Sequence, residues 1–204
     1  MSKGKQFPAA VRDAIRGRGR LFVVSGPSGC GKTTLCDALL KQGIGLVRSI
    51  SFTTRDARGK EKDGKDYFFT NVPGFERMRS KGGFLEYAKV FGNYYGTPRR
   101  FIETNLTSGR DILLNIDVQG AAQIRRRHRG AVLIFILPPS MAALQKRLLC
   151  RLTDTKRQIR ERLSIAKKEL QCIGLYDYYV INDKINAAIG ELRRIILASH
   201  HEIS

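Results

Sequence analysis

The sequence is poor in acidic residues and cysteine, and it has no long apolar stretch. Its four cysteines form no Cys-x-x-Cys pair and have no histidine at zinc-finger spacing, so neither a disulfide framework nor a structural zinc site is suggested. The first twenty residues lack the apolar segment of a secretory signal, and no apolar run is long enough to cross a membrane. We therefore expect a soluble, cytoplasmic protein with no membrane partner.

The shortage of acid leaves a strong positive charge. Against 37 Lys and Arg there are 18 Asp and Glu, which gives a formal net charge of +19. Such a charge favours polyanionic partners, namely nucleotides, nucleic acids or an anionic membrane surface. The densest basic run, residues 125–129, is either a solvated helix end or a nucleic-acid-binding surface, and we expect no dedicated nucleic-acid partner. Residues 1–19 form a basic leader, either loosely held or a short amphipathic helix that touches a partner.

Four short apolar segments, each followed by helix-like sequence, predict buried strands: 21–25, 112–116, 132–137 and 178–181. The repeated order of strand and helix predicts an α/β fold with a mainly parallel sheet flanked by helices. Residues 51–97 differ in texture, with many aromatics and turn glycines, and predict an inserted small α+β lobe. The core would then comprise residues 20–50 and 98–204. A helical lid is predicted at about 140–170, and its first helix begins with Ser140 as the cap.

A phosphate-binding motif connects the first strand to the first helix. The segment from Gly26 to Thr33 fits G-x-x-x-x-G-K-[ST] and lies where a P-loop NTPase fold requires it. Glycines let backbone N–H groups surround phosphate oxygens, Lys32 reaches the β- and γ-phosphates, and Thr33 would ligate Mg²⁺. The alternative is an ordinary glycine-rich turn. A second apolar strand ends in Asp117, a form typical of the strand that steadies a magnesium shell.

Arg55 and Arg58 are the first candidates for binding a phosphate acceptor. Two guanidinium groups three residues apart form a fork that suits one phosphate monoester. In a basic protein, the same two side chains could instead be simply solvated.

A set of further motifs, in order along residues 20–198, resembles the guanylate kinase family. The motifs are Ser51-Phe52-Thr53-Thr54-Arg55, Phe84-Leu85-Glu86-Tyr87-Ala88, Gly92-Asn93-Tyr94-Tyr95-Gly96-Thr97, Ile116-Asp117-Val118-Gln119-Gly120, Pro138-Pro139-Ser140, Arg147-Leu148, Arg162-Leu163 and Asn182-Asp183. The resemblance implies a kinase that transfers the γ-phosphoryl group of Mg·ATP to GMP and dGMP in purine nucleotide metabolism. It leaves the choice between monomer and homodimer open.

The resemblance also implies roles for individual residues. It places the GMP phosphate on Arg55, Arg58, Tyr67 and Tyr95. It places guanine on Ser51, Glu86, Thr97 and Asp117. The chemistry of Glu86 agrees, since a carboxylate accepts from both N1–H and the 2-amino group of guanine, whereas adenine offers neither donor. ATP is expected on Gly26, Pro27, Ser28, Gly29, Cys30, Gly31, Lys32, Thr33, Thr34, Arg147 and Arg151.

Lid arginines complete the implied catalytic set, which is Lys32, Arg55, Arg151 and Arg162. With Arg147, the two lid arginines would close over the ATP phosphates; a basic helix face is the alternative, which the other motifs make the weaker one. Asn182 either contacts the adenine side or caps the last helix.

Three residues depart from the family's usual pattern. Asn115 stands where an acid is frequent, Lys60 stands where Gly normally precedes the Glu, and Leu152 stands where the lid often has Gly. Two other classes of protein stay open at this point: a non-catalytic scaffold, which would not need Lys32 and Thr33, and a nucleic-acid-binding ATPase.

Overall fold

The computed structural model describes residues 19–149 and 156–200. The predicted leader up to residue 18 and the middle of the predicted lid, including Arg151 and Leu152, lie outside the described residues. The described strands are β1 Leu21–Ser25, β2 Val47–Arg48, β3 Phe52–Thr53, β4 Phe68–Phe69, β5 Phe84–Val90, β6 Asn93–Pro98, β7 Ile112–Asn115, β8 Val132–Leu137 and β9 Tyr178–Ile181. The described helices are α1 Lys32–Leu40, α2 Val72–Ser80, α3 Arg99–Thr107, α4 Val118–Arg127, α5 Met141–Leu149, α6 Lys156–Leu170 and α7 Ile185–Ser199, with a 3₁₀ turn at Gln171–Leu175.

Five strands form one parallel sheet in the order β2-β7-β1-β8-β9. In β1, Phe22 and Val24 face a cluster that includes residues of α1 and α7, while Leu21 and Val23 face a second cluster that includes residues of α3 and α4. Because β1 is covered on both faces, its sequence is continuously apolar rather than alternating. The predicted mainly parallel sheet flanked by helices is confirmed.

A second, four-stranded sheet lies within residues 52–98, in the order β4-β3-β6-β5. Strand β3 pairs parallel with β4 and antiparallel with β6, which also pairs antiparallel with β5. Phe75 of α2 stacks on Phe84 at 4.4 Å and on Tyr94 at 5.3 Å between ring centroids. Leu85 instead joins the cluster beneath the parallel sheet, so β5 is anchored to the larger part of the molecule. The predicted inserted segment therefore contains a sheet of its own.

The helices of the predicted lid share a small core. Leu144 and Leu148 of α5 pack with Ile159 and Ala166 of α6. The predicted cap is confirmed, because the Ser140 hydroxyl accepts from the backbone N–H of Ala143 at 3.0 Å. Within residues 19–149 and 156–200, no helix has both the length and the hydropathy that a membrane crossing would require.

The basic run at the end of α4 is not simply solvated. Arg125 pairs with Asp177 at 2.6 Å and donates to the carbonyl of Leu175 at 3.2 Å. Arg127 donates to the carbonyl of Leu85 at 2.9 Å. Two of the four arginines in the run therefore tie α4 to neighbouring segments.

Candidate active site

One cavity of about 300 Å³ lies between the loop after β1, the end of β7 and the second sheet. This is the carboxyl edge of the parallel sheet, where α/β proteins of this kind bind ligands. Among its walls are many of the predicted residues: Ser28, Gly29, Gly31, Lys32, Thr33, Thr34, Ser51, Arg58, Tyr67, Glu86, Tyr95, Asp117 and Arg162. The other predicted residues among those described do not line this cavity: Gly26, Pro27, Cys30, Arg55, Thr97 and Arg147.

The loop between β1 and α1 folds as its glycines require. Gly26 and Gly31 have φ angles of 137° and 93°, which L side chains rarely adopt. A side chain at Gly31 would also meet the Asn182 amide, with its Cβ 2.3 Å from Nδ2. Lys32 Nζ donates to the carbonyls of Gly26 at 2.6 Å and Pro27 at 3.1 Å, so its positive charge lies over the loop.

Asn182 and Arg147 support this loop from behind. Asn182 Nδ2 donates to the carbonyl of Cys30 at 2.8 Å, and Arg147 donates to the carbonyls of Asn182 at 2.7 Å and Cys30 at 3.4 Å. The alternative that Asn182 caps the last helix is wrong, because Lys184 is the N-cap residue of α7. The Cys30 thiol is buried, and burial raises its pKa even though Lys32 opposes the shift.

Thr33 offers an oxygen for a metal ion that arrives with a nucleotide. Its exposed side chain accepts a hydrogen bond from Asn115 Nδ2 at 3.1 Å through Oγ1. Within the described residues, no three His, Cys, Asp or Glu side chains form a group that could hold a metal by themselves. Mg²⁺ commonly uses one or two protein oxygens with phosphate oxygens and waters. The donors present therefore fit a nucleotide-borne Mg²⁺, with Asn115 contributing no charge.

Asp117 follows β7 and begins α4. Its carboxylate accepts from the backbone N–H groups of Gln119 at 2.7 Å and Gly120 at 3.3 Å, which caps the helix. Burial raises the pKa of Asp117, while these two hydrogen bonds and Lys32 act in the opposite direction. The side chain thus has a structural role and also faces the cavity.

Arg55 and two tyrosines come together at the other end of the cavity. The Arg55 guanidinium is only 9% exposed and lies 5.4 Å from the centre of the Tyr67 ring, which is 6.0 Å from the Tyr95 ring. Glu61 accepts from Arg55 through both carboxylate oxygens, at 3.0 and 2.9 Å, and from the backbone N–H of Arg58 at 2.8 Å. Glu61 is absent from the predicted site residues, although the family pattern includes an acid at this position.

Glu86 is the most deeply buried carboxyl group of the cavity wall. It is 2% exposed, and the buried Thr97 hydroxyl donates to its Oε1 at 2.5 Å. Burial raises the pKa of Glu86 to about 8; the Thr97 hydrogen bond opposes this shift, and the nearby Asp117 adds to it. A buried carboxyl with one oxygen paired inside the protein has its remaining acceptor capacity available to a ligand with two donors.

The lid contributes two contacts to the cavity. Arg162 lies 5.2 Å from the ring centre of Phe91, which occupies the two-residue turn between β5 and β6 with a φ of 49°. Glu169 Oε2 accepts from the backbone N–H of Ser28 at 3.4 Å, and burial raises the pKa of Glu169 against the effect of Lys32. Neither Phe91 nor Glu169 was among the predicted site residues. Arg151 lies outside the described residues.

Comparison with known proteins agrees with this geometry. The sequence model of the family described as "Guanylate kinase" matches residues 18–199. The chain is 45% identical over 185 residues to a guanylate kinase of Caldanaerobacter subterraneus subsp. tengcongensis, covering 91% of this chain and 90% of the relative. It is 48% identical over 180 residues to one of Nitrosospira multiformis, covering 88% and 86%. The crystal structure of guanylate kinase from Anaplasma phagocytophilum superposes with a TM-score of 0.78 at 36% identity, covering 91% of this chain and 88% of that one.

Proposed function

This chain belongs to the guanylate kinase family, and from that premise we propose that the two walls of its cavity each hold one substrate. The chain is a phosphotransferase that uses ATP to phosphorylate GMP. The assignment of individual residues to the two substrates, and of Mg²⁺ to Thr33, is our proposal.

The loop after β1 would hold the ATP phosphates. Backbone N–H groups of the loop and of the start of α1 would supply partial positive charge, and Lys32 Nζ lies over the same loop. The Thr33 hydroxyl would hold Mg²⁺, which when bound neutralises charge on the β- and γ-phosphates. Arg162 faces the cavity from the lid. The role implied for Arg151 stays a prediction.

The second sheet would hold GMP by its phosphate and its base. Arg55 and Arg58 provide positive charge, and the hydroxyls of Tyr67 and Tyr95 provide neutral donors to phosphate oxygens. Glu61 fixes the Arg55 guanidinium with two hydrogen bonds, so that little side-chain freedom is lost when a phosphate binds.

The proposed recognition of guanine depends on Glu86. In its ionised form, the carboxylate would accept from N1–H and the 2-amino group of the base, with Ser51, Thr97 and Asp117 around it. Adenine has an acceptor at N1 and no 2-amino group, so it would leave a buried charge unpaired. The burial of Glu86 at 2% exposure is the single observation on which this specificity rests.

Transfer of the phosphoryl group needs little covalent chemistry from the protein. The GMP phosphate is already an anion, so no general base is required, and catalysis depends on positioning and on charge compensation by Lys32, Arg55 and the lid arginines. Contact of the lid with both the loop and the turn at Phe91 would exclude water that otherwise hydrolyses ATP.

The test is Glu86→Gln with a panel of GMP, dGMP, AMP, CMP and UMP in a coupled ADP-release assay. Gln has the same shape but turns one acceptor into a donor that faces a guanine donor. We expect kcat/KM for GMP to fall by about 10²-fold and the preference over AMP to shrink. Glu76→Gln is the control, because Glu76 lies on α2 and pairs with Arg79 at the surface. Unchanged selectivity in Glu86→Gln would contradict the proposal.

Three further points belong to the proposal. dGMP should serve as a second acceptor, because the contacts proposed for phosphate and base do not use the sugar hydroxyls. A cytoplasmic location is supported by the thiols of Cys30 and Cys36, which are free and buried. A nucleic-acid partner is disfavoured because Arg125 and Arg127, in the densest basic run, are engaged within the protein.

A further inference from the structure

Gly120 lies against Glu86 and leaves room for its carboxylate. A Cβ built at Gly120 would lie 2.3 Å from Glu86 Oε2 and 2.9 Å from its Cδ, closer than real Cβ contacts allow, and 3.2 Å from Ile116 Cδ1. Gly120 is in the first turn of α4 and does not have the positive φ angle that would itself require glycine. In a helix, alanine would be the better residue. The reason for glycine here is therefore the approach of the Glu86 side chain.

The backbone on both sides of Glu86 is held to the same helix. Arg127 Nη1 donates to the carbonyl of Leu85 at 2.9 Å, and Gln123 Nε2 donates to the carbonyl of Tyr87 at 2.5 Å. Positions 120, 123 and 127 share one face of α4, because residues three, four and seven apart are neighbours on a helix. Strand β5 is thus fixed along α4 before and after Glu86, and its backbone has little freedom to retreat.

The carboxylate is also held from the side opposite Gly120. Thr97 on β6 donates to Glu86 Oε1, while Oε2 is the oxygen that approaches Gly120. A methyl group at position 120 would consequently push Oε2 away and rotate the carboxylate out of its bond with Thr97. The depth and orientation of the acid depend on the missing side chain.

We propose that Gly120 is a positioning residue for guanine recognition: its lack of a side chain sets where the Glu86 carboxylate meets the base. This inference rests on the proposed role of Glu86. It concerns the acceptor only, since Gly120 has no part in the proposed ATP site. Gly120→Ala should therefore raise KM for GMP by about tenfold and narrow the preference for GMP over AMP, while KM for ATP stays within about twofold.

The chain offers a matched control in Gly190→Ala. Gly190 also lies inside a helix, α7, but nothing would lie within 4 Å of its added Cβ. This variant should keep wild-type KM values for both substrates. If Gly120→Ala behaves like Gly190→Ala, the proposal is overturned. If Glu86→Gln also leaves GMP kinetics unchanged, the fault lies instead with the proposed role of Glu86.

A compensating variant separates a clash with the acid from a general disturbance of α4. Aspartate is one methylene shorter, so Gly120→Ala with Glu86→Asp restores room beside the helix. The double variant should bind GMP better than the product of the two single effects predicts, by at least about threefold. If Gly120→Ala does not fold, recovery of folding in the double variant supports the clash with Glu86. Failure to recover there assigns the clash to other neighbours such as Ile116 and overturns the proposal.

Discussion

The two walls of the cavity present different groups to a ligand, mainly backbone on one side and side chains on the other. The loop after β1 presents mainly backbone: Lys32 contacts loop carbonyls, and glycines turn the chain. The wall from the second sheet presents side chains that already have hydrogen-bond partners, Glu86 with Thr97 and Arg55 with Glu61. The triphosphate is the same in every nucleoside triphosphate, so backbone amides suffice for it. A particular base needs side-chain groups held in place by a further layer of residues.

The largest expected effect is that of replacing Lys32. Its charged side chain belongs to the wall formed by the loop after β1, which we call the backbone wall. Lys32→Ala should lower kcat by about 10³-fold, because Lys32 is the one cationic side chain in the sequence from Gly26 to Thr33 and would offset the developing phosphate charge. Folding should be preserved, since Lys32 is at the start of α1 and its side-chain hydrogen bonds to described residues go to carbonyls of its own loop. The assay is coupled ADP release, and thermal unfolding checks the fold.

Lys41→Ala is the control for this change, since Lys41 ends the same helix at an exposed position. Activity of Lys32→Ala within tenfold of Lys41→Ala would show that the amides alone carry the ATP side.

The wall formed by the second sheet, which we call the side-chain wall, should differ from the backbone wall in how its substrate affinity depends on pH. The pKa of Glu86 is raised to about 8, so the acid is largely protonated at neutral pH, whereas guanine needs the carboxylate. Affinity for GMP should thus increase as pH rises, with KM for GMP falling by about 25-fold between pH 6.5 and 8.5. KM for ATP should change much less. Initial rates at several pH values, with each substrate varied, measure both.

The same shift has a consequence for stability, and its sign is fixed. The folded protein binds the Glu86 proton more tightly than the unfolded chain does, so the free energy of unfolding should decrease as pH rises from about 4.5 to about 8. Glu86→Gln should remove this contribution as well as the pH dependence of KM for GMP. A wild-type KM for GMP that is flat across the range would argue that Glu86 is already ionised.

The sequence predicts the backbone wall better than the side-chain wall, and the reason is physical. The loop, its lysine and its threonine are contiguous, so spacing alone predicts strand, loop and helix. Glu86, Thr97 and Gly120 come from three separate elements, and their contacts exist only after β5 has paired with β6 and packed on α4. The resemblance to a family implies the role of Glu86, but neither spacing nor composition reveals that position 120 has no room for a side chain.

Arg147 and Asn182 illustrate the other limit of sequence reasoning. A basic residue on a lid helix predicts a phosphate contact, and for Arg147 this stays a prediction. Its bonds to the carbonyls of Cys30 and Asn182 could not be predicted from the sequence. Asn182 follows β9 and was open to two interpretations, whereas its amide donates to Cys30 across 152 positions of the chain. Long-range bonds to backbone carbonyls have no sequence pattern, because every residue supplies the same acceptor.

The smallest expected effect concerns Phe91, where the lid meets the side-chain wall. Phe91 has a positive φ angle in a two-residue turn, a position that favours Asn, and its ring lies against Arg162. Phe91→Asn should relieve the backbone and raise the melting temperature slightly, while the lost ring contact lowers kcat by about two- to threefold. Phe91→Tyr keeps both the ring and the strain, so it should match the wild type in both measurements. If Phe91→Asn turns over as fast as Phe91→Tyr, the turn is only a connection between β5 and β6, and the lid meets the acceptor wall without help from this contact.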